Sequence, residues 1–357
     1  MQDFYQLKRD NNPLREDAFT ISCLGKLFPA SSLDFTRCGI WLSELLDDII
    51  SNNSLEHEIL IIGLTESGII PAFLMYVEAT KKHLNTHIIY STRRPMSGIA
   101  FHESHSHGPN HILPIADASF KEIWIVEDEI TSGNTVFNLI VQLSKHLKID
   151  CIRVFAFADF RNMKQKAQFL SKIKEKNIFC SVHILPFQLE QGNTAISEQP
   201  LVLNNPIKSI CWPVKEHFNK NVSNCWHLPT KRPALGVKSD ILLDLKLWSV
   251  SFELSFGTIL AVGESVDIAA CFALANNNLS FQQISLSPWK IDNKSIFSRM
   301  IFSGKYYLYN YEKLKGQVFI ICDPINKEIE IEVIEKLKEY GIKVIPFLPT
   351  TNIFFQP

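Results

Sequence analysis

The chain carries no excess of either charge. Its 36 Lys and Arg stand against 37 Asp and Glu, a formal net charge of -1 at pH 7. That balance removes the electrostatic case for nucleic acid or an anionic membrane as the main partner. Long hydrophobic runs are also missing. Runs such as Ile59–Leu64 and Ile123–Val126 are strand-sized, far short of the roughly 20 residues a membrane helix needs. The start, Met1-Gln2-Asp3-Phe4-Tyr5-Gln6, lacks the charged-then-apolar pattern of a signal peptide. Eight cysteines are present, but none forms a CxxC pair or a tight cluster with histidine. No zinc site is expected on that spacing. Cysteines scattered through apolar runs suit a reduced, cytoplasmic setting.

What is present is a pattern of alternation. The 357 residues, 46% of them hydrophobic, are enough for two domains with real cores. In the first half, Ile59–Ile62, His87–Tyr90, Ile123–Val126 and Ile152–Phe157 read as buried strands. Between them, Ile70, Phe73, Leu74 and Val77, then Val136, Leu139, Ile140, Leu143 and Leu147, repeat at three and four as helices do. Strands alternating with helices predict an α/β fold with a parallel sheet covered on both faces.

The last third repeats the first. Thr258–Ser265 mirrors Leu60–Ser67, Val318–Asp323 mirrors Ile123–Asp128, and Ile342–Phe347 mirrors Ile152–Phe157. A helix follows the second run in both copies, spaced by Ile329, Val333, Ile334 and Leu337 in the later one. Order and spacing agree, which points to duplication. The reading is two Rossmann-like parallel-sheet domains: 1–187 carrying the chemistry, and 251–357 a degenerate copy. An irregular connector, 188–250, rich in Pro and Asn, lies between.

Chemistry concentrates where Ile125-Val126 is followed by Glu127-Asp128-Glu129-Ile130 and then Thr131-Ser132-Gly133-Asn134-Thr135. Two acids are expected to end a strand, and a hydroxyl-rich turn opens a helix. The carboxyl end of a parallel strand is where such sheets bind ligands. Backbone N–H groups of Thr131–Thr135, with the helix N-terminus, can wrap a phosphate, and Gly133 permits close approach. Glu127 and Asp128 repel phosphate but suit diol hydroxyls or Mg2+. The combination describes a ribose 5-phosphate. The bland alternative is a helix capped by Thr131 or Ser132, which does not call for two preceding acids.

Two further segments join it. Gly63-Leu64-Thr65-Glu66-Ser67-Gly68 links a strand to a helix with a glycine at each end. Arg93 and Arg94 leave a strand end toward the same side, and their planar guanidinium groups suit pyrophosphate oxygens. Past them lie His102, His105, His107 and His111. His105 and His107 could donate to a leaving group; a metal site and a solvated loop without chemistry remain alternatives.

Val126-Glu127-Asp128-Glu129-Ile130-Thr131-Ser132-Gly133 resembles the hallmark of the type I phosphoribosyltransferases: apolar residues, two acids, two variable residues, then a Thr/Ser-rich turn with glycine. The resemblance implies that Glu127 and Asp128 hold the ribose hydroxyls of phosphoribosyl pyrophosphate (PRPP), Thr131, Ser132, Gly133, Asn134 and Thr135 its 5-phosphate, and Thr65, Glu66, Ser67, Gly68 and Arg93 the pyrophosphate. Arg94, His105 and His107 would act catalytically from a mobile hood, and Mg2+ would come largely with PRPP and water, against Asp128 and Glu127. Phe101–His107 and Ser22–Lys26 are similar to the orotate-phosphoribosyltransferase-like group of tellurium-resistance and stress gene clusters. Val262-Gly263-Glu264, Ser285-Leu286-Ser287-Pro288 and Tyr307-Leu308-Tyr309-Asn310 resemble that group's C-terminal TRSP-type domain, with Thr-Arg-Ser-Pro changed to Ser-Leu-Ser-Pro.

The implied reaction is displacement of pyrophosphate from PRPP by a nucleobase-like nitrogen, or its reverse, toward a nucleoside-like metabolite. A PRPP-synthetase-like diphosphokinase and a non-catalytic PRPP or nucleotide sensor are the alternatives. Base choice would fall to a variable hood that includes Met1–Phe35, and a homodimer is expected by analogy. In the second copy Cys322 and Asp323 replace the acid pair, and Asn326-Lys327-Glu328-Ile329-Glu330 replaces the phosphate turn. Two glutamates there would each cost a bound phosphate about 4 kcal/mol at ~4 Å and an effective dielectric near 20, so that copy is not expected to bind PRPP.

Overall fold

The computed structural model describes residues 4–10, 16–53, 55–93, 97–102, 110–115, 120–184, 256–322 and 327–346. The connector 188–250, Asp323 and Asn326 lie outside them. Contacts divide the chain into two units, with the boundary inside a long helix: residues 37–184 form one, and residues 1–36 join those from 256 onward in the other. The sequence pattern groups residues 1–36 with the run to 187 instead. No helix among the described residues is long and apolar enough to cross a membrane.

In the unit of residues 37–184, helix α1 (Ser32–Asn52, its first residues counted with the other unit) precedes β3 (Ile59–Gly63), α2 (Ile69–Lys81) and β4 (Thr86–Tyr90). Then come a hairpin of β5 (Ile99–His102) and β6 (Asn110–Leu113), then β7 (Glu122–Ile130), α3 (Asn134–His146), β8 (Cys151–Asp159), α4 (Met163–Lys174) and β9 (Cys180–Ile184). The sheet order is β4-β3-β7-β8-β9, every neighbouring pair parallel. Leu60, Ile62, Ile123, Ile125, Ile152 and Val154 pack with Leu139, Ile140 and Leu143 of α3 and with Phe169 and Ile173 of α4. Residues 69–79 of α2 are buried throughout, which accounts for its nearly unbroken apolar sequence. Each fully buried Ile or Leu stabilises the fold by about 1.5–3 kcal/mol.

β7 corrects one expectation. The acids do not end the strand: pairing with β8 continues through Glu127↔Ala156, Glu129↔Ala158 and Ile130↔Asp159. On the other side, β3 stops at Gly63, opposite Val126. Glu127–Ile130 therefore overrun β3.

The other unit contains a hairpin of β1 (Phe4–Lys8) and β2 (Asp17–Ile21), then β10 (Gly257–Val262), α5 (Val266–Ala275) and β11 (Leu279–Gln283). A second hairpin, β12 (Arg299–Phe302) and β13 (Tyr306–Tyr309), is followed by β14 (Gln317–Cys322), α6 (Lys327–Glu339) and β15 (Val344–Pro346). Its parallel sheet has the order β11-β10-β14-β15, the order of β4-β3-β7-β8. Both sheets place an antiparallel hairpin between the second and third strands in sequence. Even single bridges recur: Thr92 pairs with Ile112, and Ser285 with Tyr307. Gly63 faces Val126, and the matching Ala261 faces Ile321. The last strand slips from the sequence match: Trp124↔Arg153 corresponds to Phe319↔Ile345, where the sequence match aligned Lys343 with Arg153. A slip of two residues keeps every side chain on its face, so the apolar pattern could not reveal it.

Residues 22–30 are integral to this unit. Ala30 bridges Phe281, and the side-chain amides of Gln283 and Gln282 donate to the carbonyls of Leu24 (2.6 Å) and Leu27 (3.4 Å). Gly25 has φ +60 and packs where a β-carbon would lie 2.7 Å from the Phe281 ring. The Ser285–Pro288 and Tyr307–Asn310 segments lock together: the Tyr309 hydroxyl donates to the Ser287 carbonyl (2.6 Å) and accepts from the Trp289 amide (2.7 Å). Asn310, fully buried, donates to the carbonyls of Ser295 and Leu27.

At the amino end of the five-stranded sheet, Glu122 is a buried hub. Its carboxylate accepts from Arg153 Nε (2.6 Å) and Trp124 Nε1 (2.6 Å) and lies 3.0 Å from His57 Nε2. Burial alone would raise the Glu122 carboxyl; hydrogen bonds from Arg153, Trp124 and His57 outweigh it and hold the group below its ordinary value of 4.5. A folded-state pKa below the unfolded one gives stability that is present above the unfolded pKa and lost as pH falls through the folded value. Glu122→Gln should cost about 3–5 kcal/mol at pH 7, because it strands the Arg153 charge. It should also flatten the loss of stability below about pH 4.5, the ordinary value of the wild-type group. Urea midpoints between pH 3 and pH 7 measure both, and a parallel pH profile for wild type and variant would refute the assignment.

Candidate active site

In the sheet of residues 37–184, the chain runs from β3 to β4 on one side and then crosses to β7 on the other. The crevice between β3 and β7, at their carboxyl ends, is the topological switch point, where open α/β sheets hold ligands. Two loops meet the crevice: Leu64–Gly68 after β3, and Thr131–Gly133 after β7.

Because β7 overruns β3, Glu127 and Asp128 stand at this opening. Successive strand residues face opposite sides, and their burial differs: Asp128 is 7% exposed and Glu127 is half-buried. Asp128 Oδ1 accepts the Glu129 amide at 2.9 Å.

The turn after β7 is not a self-capped helix start. The N-cap of α3 is Gly133, at φ 78, and no side chain makes a cap hydrogen bond. Ser132 Oγ accepts the Asn134 amide at 3.3 Å, and the first intrahelical bond runs from the Phe137 amide to the Gly133 carbonyl (2.9 Å). No acid lies in the first turn of α3, and Lys145 and His146 lie in its last, so the helix dipole stays uncompensated at the crevice. The hydroxyls of Thr131 and Thr135 have no hydrogen-bond partner among the described residues. The free amides of a helix start without a side-chain cap suit an anion.

Gly133 is supported from below by a pair that sequence reading missed. The Arg161 guanidinium binds Asp159 at the end of β8 through two contacts, Nε to Oδ1 at 2.9 Å and a terminal nitrogen to Oδ2 at 3.0 Å, and the Arg161 amide adds a third to Oδ1 at 3.0 Å. Its guanidinium lies 4.7 Å from the centre of the Phe169 ring. A β-carbon on Gly133 would meet Phe169 at 3.1 Å and Arg161 at 3.4 Å. Burial would raise the Asp159 carboxyl, but hydrogen bonds from Arg161 and Lys166 bring it below its ordinary value. The only signal in sequence was Asp159-Phe160-Arg161 at the end of an apolar run.

The loop after β3 is held tightly. The Thr65 amide donates to Ser91 Oγ (2.9 Å), its hydroxyl donates to the Ser91 carbonyl, and its own carbonyl accepts from Arg93 (3.2 Å). The peptide bond between Thr65 and Glu66 is cis. The Gly68 amide donates to the Leu64 carbonyl at 2.8 Å. Thr65 and Gly68 thus shape the loop, and their amides are engaged within the chain. Gly68 is required by space: a β-carbon there would lie 2.7 Å from both the Leu64 amide nitrogen and the Val126 carbonyl oxygen. That contact sets the loop against the residue preceding Glu127.

Arg94, His105 and His107 lie outside the described residues. The other two histidines of that segment differ from each other. His102 is exposed and bonds Asn110 across the hairpin (3.2 Å); His111 is 1% exposed and bonds Ser91 Oγ (3.1 Å). Among the described residues no group of three metal-ligating side chains gathers.

The family model described as "Phosphoribosyl transferase" matches residues 4–186. No curated protein matches the chain. Solved structures similar to it include an adenine phosphoribosyltransferase at 11% identity, covering 52% of this chain and 95% of that one, with a TM-score of 0.36. Adenine phosphoribosyltransferase from Saccharomyces cerevisiae, complexed with an imino-altritol bisphosphate and adenine, shows 10% identity over 50% and 93%, at 0.36. The Trypanosoma brucei enzyme, in complex with AMP, pyrophosphate and ribose-5-phosphate, shows 10% identity over 60% and 88%, at 0.34.

Gly68→Ala should lower stability by about 1–3 kcal/mol through overpacking against Val126. Thermal unfolding of the variant measures it, and an unchanged midpoint would show that the loop does not lie against β7.

Proposed function

Because the chain belongs to the phosphoribosyl transferase family, we propose that residues 37–184 transfer the 5-phosphoribosyl group of PRPP to a nitrogen of a nucleobase-like acceptor, releasing pyrophosphate. One observation carries this reading: an acid pair and an uncapped, hydroxyl-rich helix start open onto the same switch-point crevice. The first suits a diol and the second a phosphate, and they stand at the two ends of one strand overrun and its turn.

In this reading Thr131–Thr135 wrap the 5-phosphate with backbone amides and hydroxyls, while Glu127 and Asp128 accept hydrogen bonds from the ribose hydroxyls. The C1–oxygen bond to pyrophosphate breaks as the acceptor nitrogen attacks C1, and positive charge grows on the ribose ring. The two carboxylates stabilise that charge from fixed positions. Ser67, Arg93 and Arg94 receive the pyrophosphate, Glu66, which as an anion cannot bind it directly, would meet it only through bound Mg2+, and His105 and His107 donate to the pyrophosphate or to the base. Mg2+, when bound, offsets the charge of the leaving pyrophosphate. Glu127 and Asp128 would hold it together with substrate oxygens, which suits a cation that takes only one or two carboxylates from protein and keeps several waters.

The finer placement follows from the sequence resemblance: the orotate-like group, with residues 251–357 as a TRSP-type domain and a role in tellurium resistance or stress. A cytoplasmic homodimer acting on a small-molecule acceptor completes the proposal.

The test is pyrophosphate release from PRPP and Mg2+ across a panel of nucleobases. The double variant Glu127→Gln, Asp128→Asn should fold as wild type and lose at least roughly 100-fold in turnover, since mispositioning alone costs that much. Undiminished turnover in the double variant would sink the proposal.

A further inference from the structure

His111 is one of four histidines in a polar segment, yet the structure turns it inside. It is 1% exposed, on β6, with its ring stacked on Phe101 at 5.1 Å between centres and 29° between planes. Phe101 and His111 are directly opposed in the hairpin. The bridge between Thr92 and Ile112, with bonds of 2.8 Å in each direction, brings His111 beside Ser91. At its other strand the hairpin is tied to α3, where Asn138 Nδ2 donates to the His102 carbonyl at 2.9 Å. His111 is therefore fixed on both sides.

Ser91 is 2% exposed, and its hydroxyl oxygen has two partners. It accepts the Thr65 amide at 2.9 Å and lies 3.1 Å from His111 Nδ1. With the oxygen accepting from Thr65, the hydroxyl proton needs an acceptor, because a buried donor left unpaired is costly. Nδ1 supplies it, which places the imidazole proton on Nε2. A continuous line of hydrogen bonds then runs from the Thr65 amide through Ser91 to His111.

We infer that His111 is a positioning residue: acting through Ser91, it sets the Thr65 peptide and thereby the Leu64–Gly68 loop for pyrophosphate. This rests on the phosphoribosyltransferase reading of the site. The C-terminal unit separates the role from a demand of the fold. It keeps the same hairpin and the equivalent bridge, Ser285 with Tyr307. Yet Ile284 stands at the place of Ser91, Tyr306 at that of His111, and Gly263 at that of Thr65. The hairpin closes without the line of hydrogen bonds.

His111→Phe keeps the stack on Phe101 and removes Nδ1. Its KM for PRPP should rise about tenfold, as when a supporting hydrogen bond is lost behind a ligand-binding group, with kcat nearly unchanged. The Kd for inorganic pyrophosphate with Mg2+, measured by calorimetry on the full chain, should rise by a similar factor. His111→Asn, which offers an acceptor near Nδ1, should recover most of the loss. Ser91→Ala should reproduce it, and the double variant should be no weaker than the weaker single one, since both act through one line of bonds. Equal pyrophosphate binding by wild type and His111→Phe overturns the inference alone. So does full additivity in the double variant. Absence of pyrophosphate and PRPP binding in the wild-type chain overturns the phosphoribosyltransferase reading and this inference with it.

Discussion

The site depends on one register. Gly63 of β3 pairs with Val126 of β7, and β3 ends there while β7 continues four residues further against β8. The overrun carries Glu127 and Asp128 past the last backbone partner on the β3 side and into the switch-point crevice. The exit loop of β3 turns away beside the overrun. Gly63 and Gly68 allow this, since a β-carbon on Gly63 would meet Ala72 at 2.7 Å and one on Gly68 the Val126 carbonyl at the same distance. The acids, the loop and the helix start are brought together by backbone pairing, before any side chain contributes.

The two sheets act as a comparison within one molecule. Strand order, the inserted hairpin, the bridge after the second strand and the pairing of Gly63 and Ala261 positions all recur. Among the residues that differ are those at the carboxyl ends. Glu127 becomes Cys322, Ser91 becomes Ile284, and Thr131-Ser132-Gly133-Asn134-Thr135 has no counterpart in sequence. A fold that forms without these residues does not need them for its strand order. The two ends of the five-stranded sheet differ in the same sense. Glu122, Arg153, Trp124 and His57 satisfy one another at the amino end. At the carboxyl end α3 begins without a cap, and the hydroxyls of Thr131 and Thr135 lack partners among the described residues.

The strands, helices and duplication were legible in the amino-acid sequence because buried parallel strands need continuous apolar runs and amphipathic helices need a 3.6-residue period. So was the acid pair with its turn as a motif, since two acids followed by Thr-Ser-Gly-Asn-Thr stand out between an apolar strand and a helix. The continuation of β7 to Ile130 was not legible, because Glu127-Asp128-Glu129 has the composition of a loop and only pairing with Ala156 and Ala158 makes it a strand. Nor was the two-residue slip of β15, which leaves the apolar faces unchanged. Tertiary structure alone decided that His111 is buried while His102 is exposed, that Arg161 supports Gly133, and that Thr65 shapes its loop with its amide engaged by Ser91. Each of these rests on hydrogen bonds or contacts between residues far apart in sequence. Local pattern records which groups a chain carries, whereas the partner each one meets is set by the strand order.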